Sequence, residues 1–273
     1  MFSFYKRFAA LLVAFVGVSG VACAQGYVGP AAAFSGYHLD VGAAHQDVDL
    51  SGEVRFADRV AAAGFGASET VGVVGLGWRA AVGPRTVVGV SVLHEGASQG
   101  GRTYTGSVGG SVSVSAQESV DIEDATQLRF TVGHAFQDVP ALIYAAVGGG
   151  RQDMTLSRTT TVRESTIVEG CTPETPQFCY NTDRALTESV PPPGFTETVT
   201  RERRSLDLEF VEFTVGAEYQ VSAGGQGFPR SSLFAEVSHR DHQELKATWD
   251  TASGRSTYDA DTTIARIGVR VQF

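Results

Sequence analysis

The sequence predicts an all-β chain, an eight-stranded antiparallel up-and-down transmembrane β-barrel with long extracellular loops. Three observations predict it. The segment Arg266–Phe273 alternates strictly, with Ile267, Val269, Val271 and Phe273 on one face and Arg266, Gly268, Arg270 and Gln272 on the other, as a strand between two different environments must. Residues 1–24 read as a secretory leader, and no later run of about 18 apolar residues could form a spanning helix. Short and long connections alternate along the rest of the chain, as they do when tight turns lie on one side of a membrane and larger loops on the other.

The leader is read from a positive start at Lys6 and Arg7, an apolar run Phe8–Val18, and the small-x-small site Ala22-Cys23-Ala24. Cleavage there makes Gln25 the new amino-terminus, with one barrel domain over residues 25–273. The rival reading is a lipidated Cys23, but Gly20 stands where such signals carry Leu or a similar residue. Loss of Lys6 and Arg7 takes the formal charge from −9 to −11. A chain this acidic is a poor partner for nucleic acid.

Eight strands follow from alternation bounded by turn residues. They are expected at Gly26–Tyr37, Thr70–Val82, Thr86–Glu95, Thr126–Phe136, Ala141 to past Gly150, Leu206–Val221, Ser231–Lys246 and Thr262–Phe273. Each reaches the roughly 9–11 residues that a tilted strand needs to cross a bilayer. The turns Gly83-Pro84-Arg85, Gln137–Pro140 and Ala223–Pro229 are short. The stretches His38–Ser68, Gly96–Asp124 and Thr159–Ser205 are expected as surface loops. Thr159–Arg163 and Thr196–Arg203 have a composition that could prolong the flanking strands as a hairpin. Tyr37, Trp78, Phe136, Tyr219 and Phe273 sit near strand ends, where interfacial aromatic girdles form. A soluble β-sandwich or lipocalin-like barrel is the alternative, but it would bury Arg266, Arg270 and several Glu in an apolar core.

Carrying the faces back from the last strand points Arg79, Arg129, Glu212, Glu218, Glu236, Arg240, Arg266 and Arg270 into the lumen. Eight strands leave an interior just wide enough for side chains, so these charges must pair. They are read as a structural plug; a narrow porin-like channel for small solutes is the alternative.

Gln127–Phe136, the turn after it and Ala141–Gly150 resemble the fourth and fifth strands of the outer-membrane immunogenic, opacity-type porin-family barrels. Phe213–Tyr219 and Leu233–Val237 are similar to that family's sixth and seventh strands. Arg266, Gly268, Val271 and Phe273 resemble the terminal signal read by the barrel-assembly machinery. The resemblance implies an OmpA-like eight-stranded transmembrane barrel in the outer membrane of a Gram-negative bacterium. It implies outer-membrane lipid and lipopolysaccharide as surroundings, and no catalytic site or cofactor. Surface loops on such a scaffold suit adhesion or recognition of a host or surface ligand.

Ser238–Glu244 holds the ingredients of a hydrolase, and a lipid A-modifying enzyme is the third reading. Alternation separates His239 and Asp241 from Ser238, Arg240 and His242, so no nucleophile and base need meet; the chain is read as a non-enzyme. No metal-ligand spacing accompanies the two His. Cys171 and Cys179, in the loop after the fifth strand, are expected to pair as a local disulfide in an oxidising compartment.

Overall fold

The structure, a computed structural model, describes residues 29–56, 59–97, 102–108, 112–165, 195–222, 229–250 and 254–273. The leader, its cleavage site, Cys23 and the Cys171–Cys179 pair lie outside the described residues. A short 3₁₀ helix, η1 (Pro30–Phe34), is followed by ten strands. These are β1 (Gly36–Phe56), β2 (Arg59–Ala81), β3 (Thr86–Glu95), β4 (Arg102–Val108), β5 (Val112–Ala135), β6 (Ala141–Ser165), β7 (Phe195–Ser222), β8 (Arg230–His242), β9 (Leu245–Thr248) and β10 (Arg255–Gln272). Eight of them, β1-β2-β3-β5-β6-β7-β8-β10, form an antiparallel sheet that closes through β1–β10 pairing. The protein is an eight-stranded up-and-down barrel. β4 prolongs the β3 side of the wall along β5, and β9 prolongs the β8 side along β10.

The registers fix the barrel's dimensions. A walk across the strands runs His38, Gly77, Ser91, Arg129, Gly148, Glu212, Arg240, Thr262 and returns to β1 at Val48, ten residues above its start. A stagger of ten residues at about 3.3 Å each, over eight strands spaced about 4.8 Å apart, tilts the strands by about 40°. At that tilt the interior holds side chains and little else.

The outer wall divides into two zones. Near the short turns, outward positions are apolar: Tyr37, Leu39 and Val41 on β1, Leu76 and Val74 on β2, Val215 and Phe213 on β7, and Ile267, Val269 and Phe273 on β10. The band runs from Phe273 to Ala265 on β10 and from Val221 to Val211 on β7, about 20–25 Å after tilt, the height of a lipid-facing apolar band. Tyr37, Phe136, Tyr219 and Phe273 all stand exposed at its short-turn edge; Trp78, half-buried, is the cross-strand partner of Tyr37. The expected aromatic girdles are therefore one girdle, at one edge.

Above the band the pleat continues and the composition of its faces exchanges. On β1 the outward residues after Ala43 are His45, Asp47, Asp49, Ser51, Glu53 and Arg55, while Val48, Leu50 and Val54 turn inward and are buried. The same exchange on the other strands builds a second, apolar core inside the upper barrel: Val48, Leu50, Val120, Ile122, Met154, Leu156, Leu245, Trp249, Tyr258 and neighbours. The upper wall thus follows the rule of a water-soluble barrel, and the lower wall that of a membrane-spanning one.

Two expectations are corrected. Strand one does not lie at Gly26–Tyr37: Pro30 opens η1, and the strand begins at Gly36 and runs to Phe56. Gly36 has φ 129°, and a Cβ there would stand 2.6 Å from the Phe273 carbonyl oxygen, so only glycine turns the chain into the wall here. Most of His38–Ser68 and Gly96–Asp124, expected as loops, is also strand. Their outward residues are polar because they face water above the band, and the alternation beneath that polarity is what makes them strands. Strands five and six likewise run on, to Ser165 and from Phe195.

Candidate functional site

The lumen holds the densest chemistry. Inward positions of the lower barrel carry five arginines, Arg79, Arg129, Arg240, Arg266 and Arg270, and five carboxylates, Asp40, Glu95, Glu212, Glu218 and Glu236, all buried. Nearest the short turns, Arg79 Nη1 meets Glu218 Oε2 at 2.6 Å. Arg270 binds Asp40 through Nε and Nη2, at 2.6 and 2.7 Å, and gives Nη1 to Glu218. In the next layer Arg129 and Glu236 form a bidentate pair, both bonds 2.9 Å, and the Tyr144 hydroxyl donates to Glu236 at 2.7 Å. Above it, Glu212 accepts from Arg240 Nη2 and from both terminal nitrogens of Arg266, each at 2.8 Å. Glu95 accepts from Arg240 Nη2 at 2.7 Å and from Arg266. Arg266 also stands 3.7 Å from Glu236, which links the layers into one network. Gln46 donates to Glu95 at 2.9 Å and Gln127 to both oxygens of Glu212 at 3.3 Å.

The geometry has a physical logic. The planar guanidinium matches a carboxylate with two parallel bonds. Equal numbers of opposite charges leave no net charge to desolvate, the condition under which buried ions are tolerable. Aromatic rings fill the remaining width: Arg240 lies 4.1 Å from the Phe210 ring centroid, Arg270 5.1 Å from Phe234 and Arg79 5.2 Å from Tyr144. Room for two of these rings comes from inward glycines. A Cβ on Gly216 would sit 2.6 Å from Tyr144, and one on Gly268 2.6 Å from Phe234.

Both ends of this polar section are sealed by apolar groups. At the short-turn mouth η1 folds into the opening, with Phe34 and Ala31 buried among Val87, Ala135, Leu142 and Tyr144. Its backbone is tied down by Ala31 N–H to the Pro84 carbonyl at 3.1 Å and by Arg230 Nη1 to the Ala32 carbonyl at 3.0 Å. On the other side lies the upper apolar core. Within that core Glu118 accepts from Ser256 Oγ at 2.8 Å and from the Tyr258 hydroxyl, with Arg158 Nε at 3.7 Å. Burial, then the Glu118 charge, pushes the Tyr258 phenol up; burial pushes Arg158 down.

All eight residues that the sequence pointed inward lie in this network. Sequence reasoning missed Asp40 and Glu95, which complete the charge balance, and Tyr144. Asp40 fell in an expected loop and Glu95 at an expected strand end; the alternation Tyr37-His38-Leu39-Asp40-Val41 was the available signal. Glu118 is hidden by a β-bulge between Ile122 and Ala125, which shifts the β5–β6 register and reverses the faces above it.

Of the four terminal-pattern residues, Arg266 and Gly268 face inward, Val271 is half-buried, and Phe273 is exposed at the short-turn edge, its N–H bonded to the Tyr37 carbonyl at 2.9 Å. Within Ser238–Glu244, Ser238 and His242 bond to other strands rather than to each other. Ser238 Oγ is bonded to Thr214 at 2.8 Å and Arg266 at 2.6 Å. His242 contacts Gln152 at 2.7 Å and the Ala260 carbonyl at 3.2 Å, and His239 points outward.

No protein-family model and no curated protein matches the sequence. Among solved structures the chain is similar to the outer membrane protease OmpT from Escherichia coli (8% identity, TM-score 0.41, covering 87% of this chain and 97% of that one). It is similar to Neisserial surface protein A (10%, 0.35, 88% and 98%) and to the outer membrane protein OprG from Pseudomonas aeruginosa (10%, 0.38, 88% and 96%). The fold assignment rests on the closed hydrogen-bonded ring itself.

Proposed function

We propose that the protein is an outer-membrane scaffold that displays recognition surfaces, with a lumen closed to solutes, and that it performs no catalysis. The observation that carries this reading is the filling of the barrel: an apolar cork, a charge-balanced network and an apolar core follow one another along its axis. A porin-like path would need a continuous wet corridor, and each layer opposes one. The upper wall supports the display role. On β6, Arg151–Ser165 stands above the apolar band, which lifts the end of the strand by about 35 Å. A rigid stalk of that height, stabilised by its own core, raises the upper ends of the strands away from the lipid surface, where recognition by adhesion or ligand contact takes place. Outer-membrane placement is supported by the apolar band on the barrel, together with the reading of residues 1–24 as an export leader. Lipopolysaccharide and the assembly machinery are the partners this placement implies. The opacity-type subfamily is the finer reading, supported by the strand resemblances.

Reconstitution in planar bilayers and solute-swelling liposomes tests the closed lumen. Silent bilayers and no swelling are expected; stable, ion-selective steps would favour the channel. An epitope inserted after Phe56, at the β1–β2 hairpin, should be reachable by antibody on intact cells.

A further inference from the structure

Above the apolar band the ring of main-chain pairing is broken in two places. β2 follows β3 as far as Val73 opposite Glu95, with a last bond from Gly96 N–H to the Gly72 carbonyl at 3.0 Å, and β4 pairs with β5 alone. β7 follows β8 as far as Phe210 opposite His242, with a last bond from Gln243 N–H to the Glu209 carbonyl at 3.0 Å, and β9 pairs with β10 alone. The breaks lie on opposite sides of the ring. The stalk is therefore two sheets, β4-β5-β6-β7 and β2-β1-β10-β9, with the upper core between them. Each sheet leaves edge strands, and an edge strand is a template for another chain.

The β7 edge carries charge as well as free main chain. β7 keeps an unshifted register with β6 from Phe195 to Tyr219, so its main-chain groups alternate sides without interruption. The Glu209 carbonyl faces the β8 side. Ser205, Arg203, Arg201 and Val199 therefore turn their N–H and C=O groups the same way, where no strand pairs with them among the described residues. The same four residues are exposed on the outer face. Arg201 and Arg203 make no ion pair or hydrogen bond among the described residues, in a chain whose formal charge is −9. Opposite them on β6 stand Thr159 and Ser157, both uncharged. The nearby acids are engaged elsewhere: Glu197 with Arg163 at 3.0 Å, Asp207 with Arg151 at 3.5 Å, and inward Glu202 with Asp250 N–H at 2.8 Å. Inward Arg204 reaches the Thr248 carbonyl at 3.2 Å and Asp250 at 2.9 Å. Side chains thus clasp this seam, and an ion pair as exposed as Arg204–Asp250 is exchanged at little cost.

We propose that the upper β7 edge, Val199–Ser205, docks an extended acidic segment of a partner protein as an added antiparallel strand, with two carboxylates at alternate positions beside Arg201 and Arg203. The proposal rests on the display role above and adds the place and the partner's chemistry. The two arginines stand about 6.7 Å apart, the two-residue repeat of any strand laid beside them. Main-chain bonds supply the attachment and the arginines supply the selection. Antiparallel pairing is the arrangement on both sides of lower β7 and the more stable one. A second copy offering the same edge would set arginine against arginine. The β2 edge does not compete for an acidic strand. Gly64, Gly66 and Ser68 give it no outward charge, and Asp49 leans over it, its Oδ1 3.1 Å from where a Cβ on Gly66 would stand.

The test is peptide binding. A short labelled peptide, with two glutamates one residue apart in a run of valine and threonine, is titrated with the full-length protein in phosphatidylcholine vesicles and followed by fluorescence anisotropy. Saturable binding is expected. It should weaken about tenfold when glutamine replaces both glutamates, and at least as much in the R201E/R203E protein, where like charges stand opposite. Both changes are exposed, and unheated-gel mobility should match the parent's, which separates lost binding from a lost fold. N-methylation of the two glutamates, whose amides face β7, should abolish binding; N-methylation of the residue between them should not. Asp250→Ala, which opens the clasp, should tighten it. No binding, equal binding by the R201E/R203E protein, or indifference to the methyl position would overturn the docked strand. An epitope after Phe56 still reached by antibody on intact cells would then leave the display role standing; an epitope out of reach would remove that role itself.

Discussion

The charge network makes its sharpest prediction at Glu212. This carboxylate is fully buried and accepts hydrogen bonds from Arg240, Arg266, Gln127 and Thr214. Glu212→Gln keeps the shape and removes one negative charge. Arg240 and Arg266 then share Glu95 as their main counter-ion, and the section carries one uncompensated positive charge. Breaking a buried pair from one side costs about 3–5 kcal/mol, and the loss of charge-assisted bonds of roughly 1.5–3 kcal/mol each is consistent with the upper half of that range. Changing Arg240→Gln as well restores neutrality. The double variant should lie within about 2 kcal/mol of the parent, because a neutral pair replaces an ion pair at little cost. The assay is urea unfolding in vesicles, followed by tryptophan fluorescence and by gel mobility of unheated samples, with both single variants and the double variant completing a cycle. Strict additivity, with the double variant as weak as the sum of its parts, would refute the claim that charge balance holds this network together. So would a Glu212→Gln cost below about 1 kcal/mol.

Four further outcomes follow from the same geometry. Phe34→Ala removes the buried ring of the cork and should cost about 3–5 kcal/mol, yet bilayers should stay silent because the charged layers remain behind it. Gly268→Ala puts a methyl group against the Phe234 ring and the Val41 carbonyl; a loss of about 1–3 kcal/mol is expected, measured by urea titration. Val215→Arg, on the lipid face, should cost about 2–4 kcal/mol, and Ser205→Arg, on the same face of β7 above the band, close to nothing; equal costs would argue against the placement of the bilayer. Trp249→Ala should open the upper core, so that limited proteolysis trims the stalk while the lower barrel survives as a protected fragment.

How much of this was legible in the sequence varied with the environment each strand meets. β3 was readable to the residue because Val88, Val90 and Val92 face lipid while Gly89, Ser91 and Leu93 face inward. The inward charges Glu212, Glu218, Glu236, Arg266 and Arg270 were readable because apolar neighbours bracket each of them, whereas Arg240, between His239 and Asp241, was placed by carrying the alternation along β8. Upper β1 was not, because Asp47, Asp49 and Glu53 look like a loop to any reading that weighs polarity above period. Val48, Leu50 and Val54 kept the same two-residue rhythm under an opposite solvent. The cork was missed for a different reason: Pro30-Ala-Ala-Ala-Phe34 has neither strand alternation nor the length of a helix, and its place is fixed by tertiary contacts with Pro84 and Arg230. The bulge on β5 left no local mark that period alone could detect.

The exchange of faces part-way up an unbroken pleat constrains how such a wall can change length. Deleting a single residue near Ala43 would carry Val48, Leu50 and Val54 into water and draw Asp47, Asp49 and Glu53 into the stalk's interior, ruining every layer above the lesion at once. Removing two neighbouring residues would shorten the wall and leave each side chain in its proper solvent. Viable insertions and deletions in this barrel should therefore come in even numbers, or else, as on β5, arrive with a bulge that absorbs the odd one.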